Sequence, residues 1–159
     1  MQIIPINAVK YFLYRCSFFG DIITNLKMQK LLYFTHVWSL VNSGESCFEE
    51  KFQAWPNGPV LKSVYDQLKH FGGMPIDPDF SGIDSEKKLQ TLEKSLSIQK
   101  EVLDEVYEIY GSLPAFQLVA LSHQENSWIN ARKGLDVSEH STGFMLDKDI
   151  LEQYGCEKE

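Results

Sequence analysis

The chain has 159 residues, 43% of them hydrophobic and 23% charged, with a formal net charge of −7. That length supports one domain with a full core that needs neither disulfides nor metals. It contains no apolar run near the roughly 20 residues of a membrane span, and residues 1–5 lack the pattern of a secretory signal. The acidic balance argues against nonspecific nucleic-acid binding, whose affinity comes from Lys and Arg on phosphates, and suits a partner with a basic surface. Cys16, Cys47 and Cys156 are odd in number and widely spaced, which fits reduced thiols in a cytoplasmic protein.

Taken in order, residues 7–19 read as a first helix, with Val9, Phe12, Leu13 and Cys16 at helical spacing and Asn7 as the cap. Residues 23–40 carry the strongest helical pattern of the chain. Thr24 or Asn25 caps its start, because a short side-chain oxygen satisfies free N–H groups of the first turn, and Gly44 stops it. At roughly 100° per residue, Asn25, Gln29, His36, Ser39 and Ser43 fall on one narrow polar stripe. Met28, Leu31, Leu32, Phe34, Val37, Trp38, Leu40 and Val41 fill most of the remaining circumference. A helix apolar over so much of its girth must be covered by others on several sides. It is the expected central helix.

Residues 47–55 have poor helical periodicity, and Phe48, Phe52 and Trp55 suit a short extended segment. Pro56-Asn57-Gly58-Pro59 is the strongest turn signal. Asn57-Gly58 permits positive φ, and Pro59 fits the first turn of a helix over 60–71 faced by Val60, Val64, Leu68 and Phe71. Residues 75–84, with two prolines and three aspartates, read as a mobile loop, and 86–96 as a polar stretch of open structure. Residues 98–110 form a helix with Val102, Val106 and Ile109 on one face and Leu103, Tyr107 and Tyr110 beside them. Ser112 opens a short helix through 121, residues 128–133 add a turn or two closed by Gly134, and 147–154 form a last helix. The final residues, 156–159, should fray. The expected fold is mainly α: a single compact multi-helix domain around a buried central helix, with a short extended segment before the Trp55–Pro59 turn.

The search for chemistry finds no catalytic constellation. His36, His70, His123 and His140 show no metal-ligand spacing with one another or with the cysteines. No P-loop, dinucleotide fingerprint or nucleophile elbow is present. No cofactor is expected. Lys30 stands apart, because its helical angle puts it inside the apolar sector. Either its stem carries the ammonium across the core to water, or it meets a carboxylate or a partner at a gap between helices. Tyr33, Trp55, Tyr65 and Trp128 suit core and interface alike.

Three blocks carry a resemblance. They are Leu26-Lys27-Met28-Gln29-Lys30-Leu31-Leu32-Tyr33-Phe34, then Phe52-Gln53-Ala54-Trp55-Pro56-Asn57-Gly58-Pro59-Val60 with Val64-Tyr65, then Tyr110-Gly111 leading to Leu121-Ser122-His123-Gln124-Glu125-Asn126-Ser127-Trp128 and Ala131-Arg132. In this order, over roughly 8–133, the chain resembles the Panacea domain of SocA-like antitoxins, which is common in phage-associated genes. Residues 134–159 are a C-terminal extension of a single Panacea-like domain. Pro56 before Asn57 and Ser122 before His123 depart from the common pattern, the former stiffening the loop.

The resemblance implies a mainly helical, non-enzymatic antitoxin that neutralises a cognate toxin by binding it. Some members are adaptors that present the toxin to a protease, which makes a protease a second partner to consider. No membrane partner is implied, and nucleic acid is not expected to be bound by this chain on its own. A small His/carboxylate enzyme using His36 or His123 is the reading from another class. The expected partner-binding positions are Gln29, Lys30, His36, Trp55, Asn57, Gly58, Pro59, Tyr65, His123 and Trp128, and the alternative for each is that it locks the fold.

Overall fold

A computed structural model describes residues 2–155. The first helix, α1 (Pro5–Phe19), starts two residues earlier than Asn7 would place it. Pro5 supplies the start instead, since its missing N–H and fixed φ suit the first helical position, and Gly20 ends the helix in the left-handed conformation. The central helix, α2 (Asn25–Ser43), is capped by Thr24, whose hydroxyl accepts the Lys27 N–H, and is closed by Gly44.

Helices α1 and α2 pack together, and α5 (Gln99–Tyr110), α6 (Ala115–Ser122), α8 (Asp147–Gln153) and α3 (Lys62–Leu68) cover the rest of α2. The apolar girth of α2 requires such cover. Most of its polar stripe is buried as well: Asn25, Gln29, His36 and Ser39 are each at most 5% exposed, and only Ser43 at the end of the helix is exposed. The stripe tolerates burial because its groups are bonded. Gln29 Nε2 donates to Asn25 Oδ1 and its Oε1 accepts the Leu61 N–H, while Ser39 Oγ accepts from Gln99.

After α2 the chain makes a small hairpin, β1 (Gln53–Trp55) against β2 (Gly58–Val60), with Ala54 opposite Pro59 and Trp55 opposite Gly58. This corrects the placement of Pro59 in a helix. Pro59 lies in β2, and α3 begins only at Lys62, continuing as a 3-10 turn over Lys69–Phe71. A side chain decides the difference, because the Leu61 N–H is taken by Gln29. On its other edge β1 is paired by the segment at 143–145: Ala54 N–H donates to Gly143 O and Met145 N–H to Phe52 O, both at 2.9 Å.

Residues 75–84 are anchored rather than loose. The Ile76 N–H donates to Ile23 O, Ile76 is buried, and a 3-10 turn over Pro78–Ser81 packs on α1. The polar stretch that followed is α4 (Glu86–Leu96), capped by Ser85, with Leu92 and Leu96 turned inward. In α5 the buried face is Leu103, Val106 and Tyr107, whereas Ile109 is exposed. Pro114, not Ser112, stands at the start of α6, and α7 (Asn126–Ala131) begins two residues before Trp128. Helix α8 ends the described chain, and the expected fraying of 156–159 lies outside the described residues.

The two caps give a discriminating test. Thr24→Ala removes a bonded N-cap oxygen and should cost about 1 kcal/mol, whereas Asn7→Ala, inside α1 with no capping role, should stay within about 0.5 kcal/mol. Chemical denaturation of the two variants measures both.

Candidate functional site

The hairpin is held from behind by side chains that take its backbone groups one after another. Arg132 Nη1 donates to Ala54 O at 2.8 Å, Trp128 Nε1 to Trp55 O at 2.8 Å, and His123 Nε2 meets Pro56 O at 3.0 Å. From the other side Lys30 Nζ donates to Pro59 O at 3.0 Å, and Gln29 accepts the next free N–H, that of Leu61. The holders support one another. His123 stacks on Trp128 at 4.2 Å between centroids, and the Arg132 guanidinium lies 5.6 Å from the centre of the Trp128 ring. Since a carbonyl only accepts, Nε2 is the protonated nitrogen of His123. Burial pushes the His123 ring below its ordinary value, with Lys30 and Arg132 adding to the effect against the bond to Pro56.

Gly58 makes this closeness possible. Its φ is +113°, and a Cβ there would stand 2.6 Å from Ser122 Oγ and 2.8 Å from Lys30 Cε. Only glycine supplies that conformation and that space.

Lys30 follows neither of its two expectations. It is 0% exposed, so its ammonium does not reach water, and no carboxylate lies within 4 Å among the described residues. Burial alone lowers its pKa to about 7. Its near neighbour Lys27 behaves alike in geometry, donating from Nζ to Gly111 O at the end of α5.

In front of the turn is a cleft of about 300 Å³ between α2, the hairpin turn and α3. Gln29, Lys30, Trp55, Asn57 and Tyr65 line it together with Leu26 and Lys69. Trp55 and Tyr65 meet edge to face at 4.8 Å, and Trp55 Nε1 donates to Gln53 Oε1. Five of the ten expected partner positions therefore converge on one cleft. Gly58, Pro59, His123 and Trp128 stand behind it as the turn's supports.

His36 lies elsewhere. Its Nε2 meets Asp147 Oδ1 at 2.8 Å and its Nδ1 meets Ser46 Oγ at 3.4 Å, tying α8 to α2. Burial pushes the Asp147 carboxyl up, but the contact with His36, together with the charge of Lys51, holds the group below its usual range. A comparable knot forms at buried Glu125, which accepts from Tyr33, Gln153 and Tyr154. No group of three or more His, Cys, Asp or Glu able to hold a metal is present among the described residues.

Leu26, Lys69 and Arg132 escaped the sequence-based list. Arg132 stood in the third block, where its neighbours Trp128 and His123 were the available pointer. Lys69 carried no signal, because a lysine on an exposed helix end looks like any other.

A mainly helical domain whose hairpin turn is clamped between a buried central helix and a polar third block defines the class. The model of the family described as "Antitoxin SocA-like, Panacea domain" matches residues 28–129, from the first turns of α2 to within α7, and the chain belongs to that family. Over 103 residues it is 35% identical to a protein named Antitoxin SocA from Caulobacter vibrioides (strain NA1000 / CB15N), covering 64% of this chain and 55% of that one. The chain thus spans about half the length of that curated relative. No solved structure matches it significantly.

The buried lysine has a pH signature. An unfolded lysine titrates near 10.4, whereas folded Lys30 does so near 7. Between those values the unfolded state binds the extra proton, so stability rises with pH across that window. Lys30 should contribute a slope of at most ~1.4 kcal/mol per pH unit. Subtracting the stability of Lys30→Met from that of the unaltered chain, at pH 7 to 8.5, isolates it. A difference that does not change with pH contradicts the assignment.

Proposed function

We propose that the chain is a non-enzymatic antitoxin that neutralises a cognate toxin by direct binding in the cytoplasm, and that the turn face around Trp55–Pro59 carries the interaction. The family membership supports the antitoxin role. The observation that carries the location is the clamped turn: Pro56 and Asn57 connect two strands whose outward carbonyls are already fixed by Arg132, Trp128, His123 and Lys30. A loop so held loses little freedom when a partner docks, which leaves more of the contact energy as affinity. Asn57 is exposed at its tip and Trp55 and Tyr65 are half-buried beside it, the kind of aromatic setting in which binding hot spots concentrate. Gln29, Lys30, Gly58, Pro59, His123 and Trp128 serve the same face by setting its shape. The His36–Asp147 contact serves it indirectly, by seating α8 and the segment that pairs with β1.

Several features agree with this setting. No helix of the described residues is long and apolar enough to cross a membrane, and Cys16 and Cys47 are free and buried. The acidic total charge suits a basic toxin surface.

The test is co-expression with the neighbouring open reading frame. That gene alone should arrest growth, and this chain should restore it with the toxin's half-life unchanged. A shortened half-life would assign the protease-adaptor role in place of sequestration. Leu26→Asp and Asn57→Arg alter exposed positions of the turn face and should each lower toxin affinity at least tenfold while the melting temperature moves by no more than a few degrees. Full rescue by both variants would remove the turn face from the interface.

A further inference from the structure

The small sheet is wider than its two strands. The segment at 143–145 lies antiparallel on the outer side of β1, with Phe144 opposite Gln53. Its bonds to β1 are made by Gly143 O and the Met145 N–H, so the N–H and C=O of Phe144 point away from the sheet. They find no partner among the described residues. The two edges of the sheet therefore differ. At the β2 edge Pro59 has no N–H to offer, and its carbonyl is held by Lys30 at 3.0 Å. Proteins close sheet edges by such means, because bare main-chain groups invite another strand. The Phe144 edge is left open.

The side chains mark the same edge. Successive residues of a strand face opposite sides, and here Met145 is buried while Thr142, Phe144 and Leu146 are exposed. Phe144 is 55% exposed and Leu146 46%. Standing opposite Gln53, Phe144 shares a face of the sheet with Trp55, whose indole reaches back to the Gln53 side chain. One residue thus offers an open donor, an open acceptor and a large bare ring. A docked helix cannot use the first two, since its own main-chain groups are bonded internally. An extended segment uses all three.

We propose that an extended segment of the toxin adds to the 142–146 edge as a further strand, pairing with both main-chain groups of Phe144 and covering its ring. This rests on the antitoxin reading above, and it carries the turn face across the sheet from Trp55. A second copy of the chain can make the same pairing about a two-fold axis, but each copy carries a net charge of −7 and like charges oppose that contact. The same charge draws in a toxin segment flanked by Lys or Arg. The family match over 28–129 includes the hairpin but not 142–146. The receiving edge therefore lies outside the shared block, where residues that favour one toxin can change without disturbing the turn.

The probe is the growth-arresting product of the neighbouring open reading frame, purified and added to the full chain. Amide exchange is followed by NMR at Phe144 and Met145. In the free chain Phe144 should exchange as an open amide and Met145 slowly, and the toxin should slow Phe144 at least a hundredfold. Phe144→Pro removes the outward N–H without touching the bonds to β1 and should weaken toxin binding at least tenfold. Phe144→Val keeps the N–H and should weaken it at least threefold less than proline does. A Phe144 amide equally open in the free chain and the complex would overturn the proposal, and so would equal affinities of the unaltered chain and Phe144→Pro. If Phe144→Pro does not fold, exchange in the unaltered chain decides alone. A protected Phe144 amide in the free chain, with a dimer in sedimentation, would give the edge to a second copy and overturn it as well. Rescue from the toxin with Phe144 still open in the complex refutes the added strand and leaves the antitoxin reading standing, whereas a toxin that does not bind the chain removes both.

Discussion

The hydrogen bond from Lys30 Nζ to Pro59 O is the contact on which the arrangement of the front of the molecule depends. It ties the buried central helix to the second strand of the hairpin, across a gap that Gly58 keeps open by having no side chain. Once Pro59 is fixed, the turn can be reached from the other side by Arg132, Trp128 and His123, which take the carbonyls of residues 54 to 56. Backbone polar groups buried in a loop must find partners or cost free energy. Here they find them in side chains of the central helix and of the polar block between α6 and the end of α7, so the loop is as fixed as the helices that hold it.

The same device occurs twice on α2. Lys27 holds Gly111 O at the end of α5, and Lys30 holds Pro59 O in the hairpin. Both replace water at a cationic group by a carbonyl, and both thereby set the position of a connection relative to one helix. The two sites differ in severity: Lys30 is the one buried completely and without an acid nearby. Natural proteins retain such costly groups chiefly where function uses them.

Much of this architecture could be read from the chain. The girth of apolar residues on the helix opening at 23 required a central helix, Thr24 or Asn25 and Gly44 marked its ends, and Asn57-Gly58 marked the turn. What could not be read depended on contacts distant in sequence. Gln29 and His36 on the polar stripe of α2 were expected to face a partner, but with Ser39 they are buried because Leu61, Gln99 and Asp147 supply their bonds from 32 to 111 residues away. Pro59 looked like a helix start because the local signal for that is the same as for a strand whose missing N–H needs no partner. The start of α3 was moved by Gln29, a residue outside the local window. Lys69 was invisible as a contributor, since nothing in an exposed lysine records the cleft beside it. The family resemblance, by contrast, rested on residues that turn out to touch: the second block is the hairpin, and the first and third blocks are its clamps.

The clamped turn is the proposed surface for the toxin. Amide hydrogen exchange of the chain alone and in complex with its toxin measures this most directly, because it reads every backbone segment at once. Protection should grow at residues 25–30, 55–60 and 65–70, around the cleft and turn, with the face of α1 and α4 unaltered. Protection confined to α1 and α4, with the turn exchanging as it does in the free chain, would contradict it.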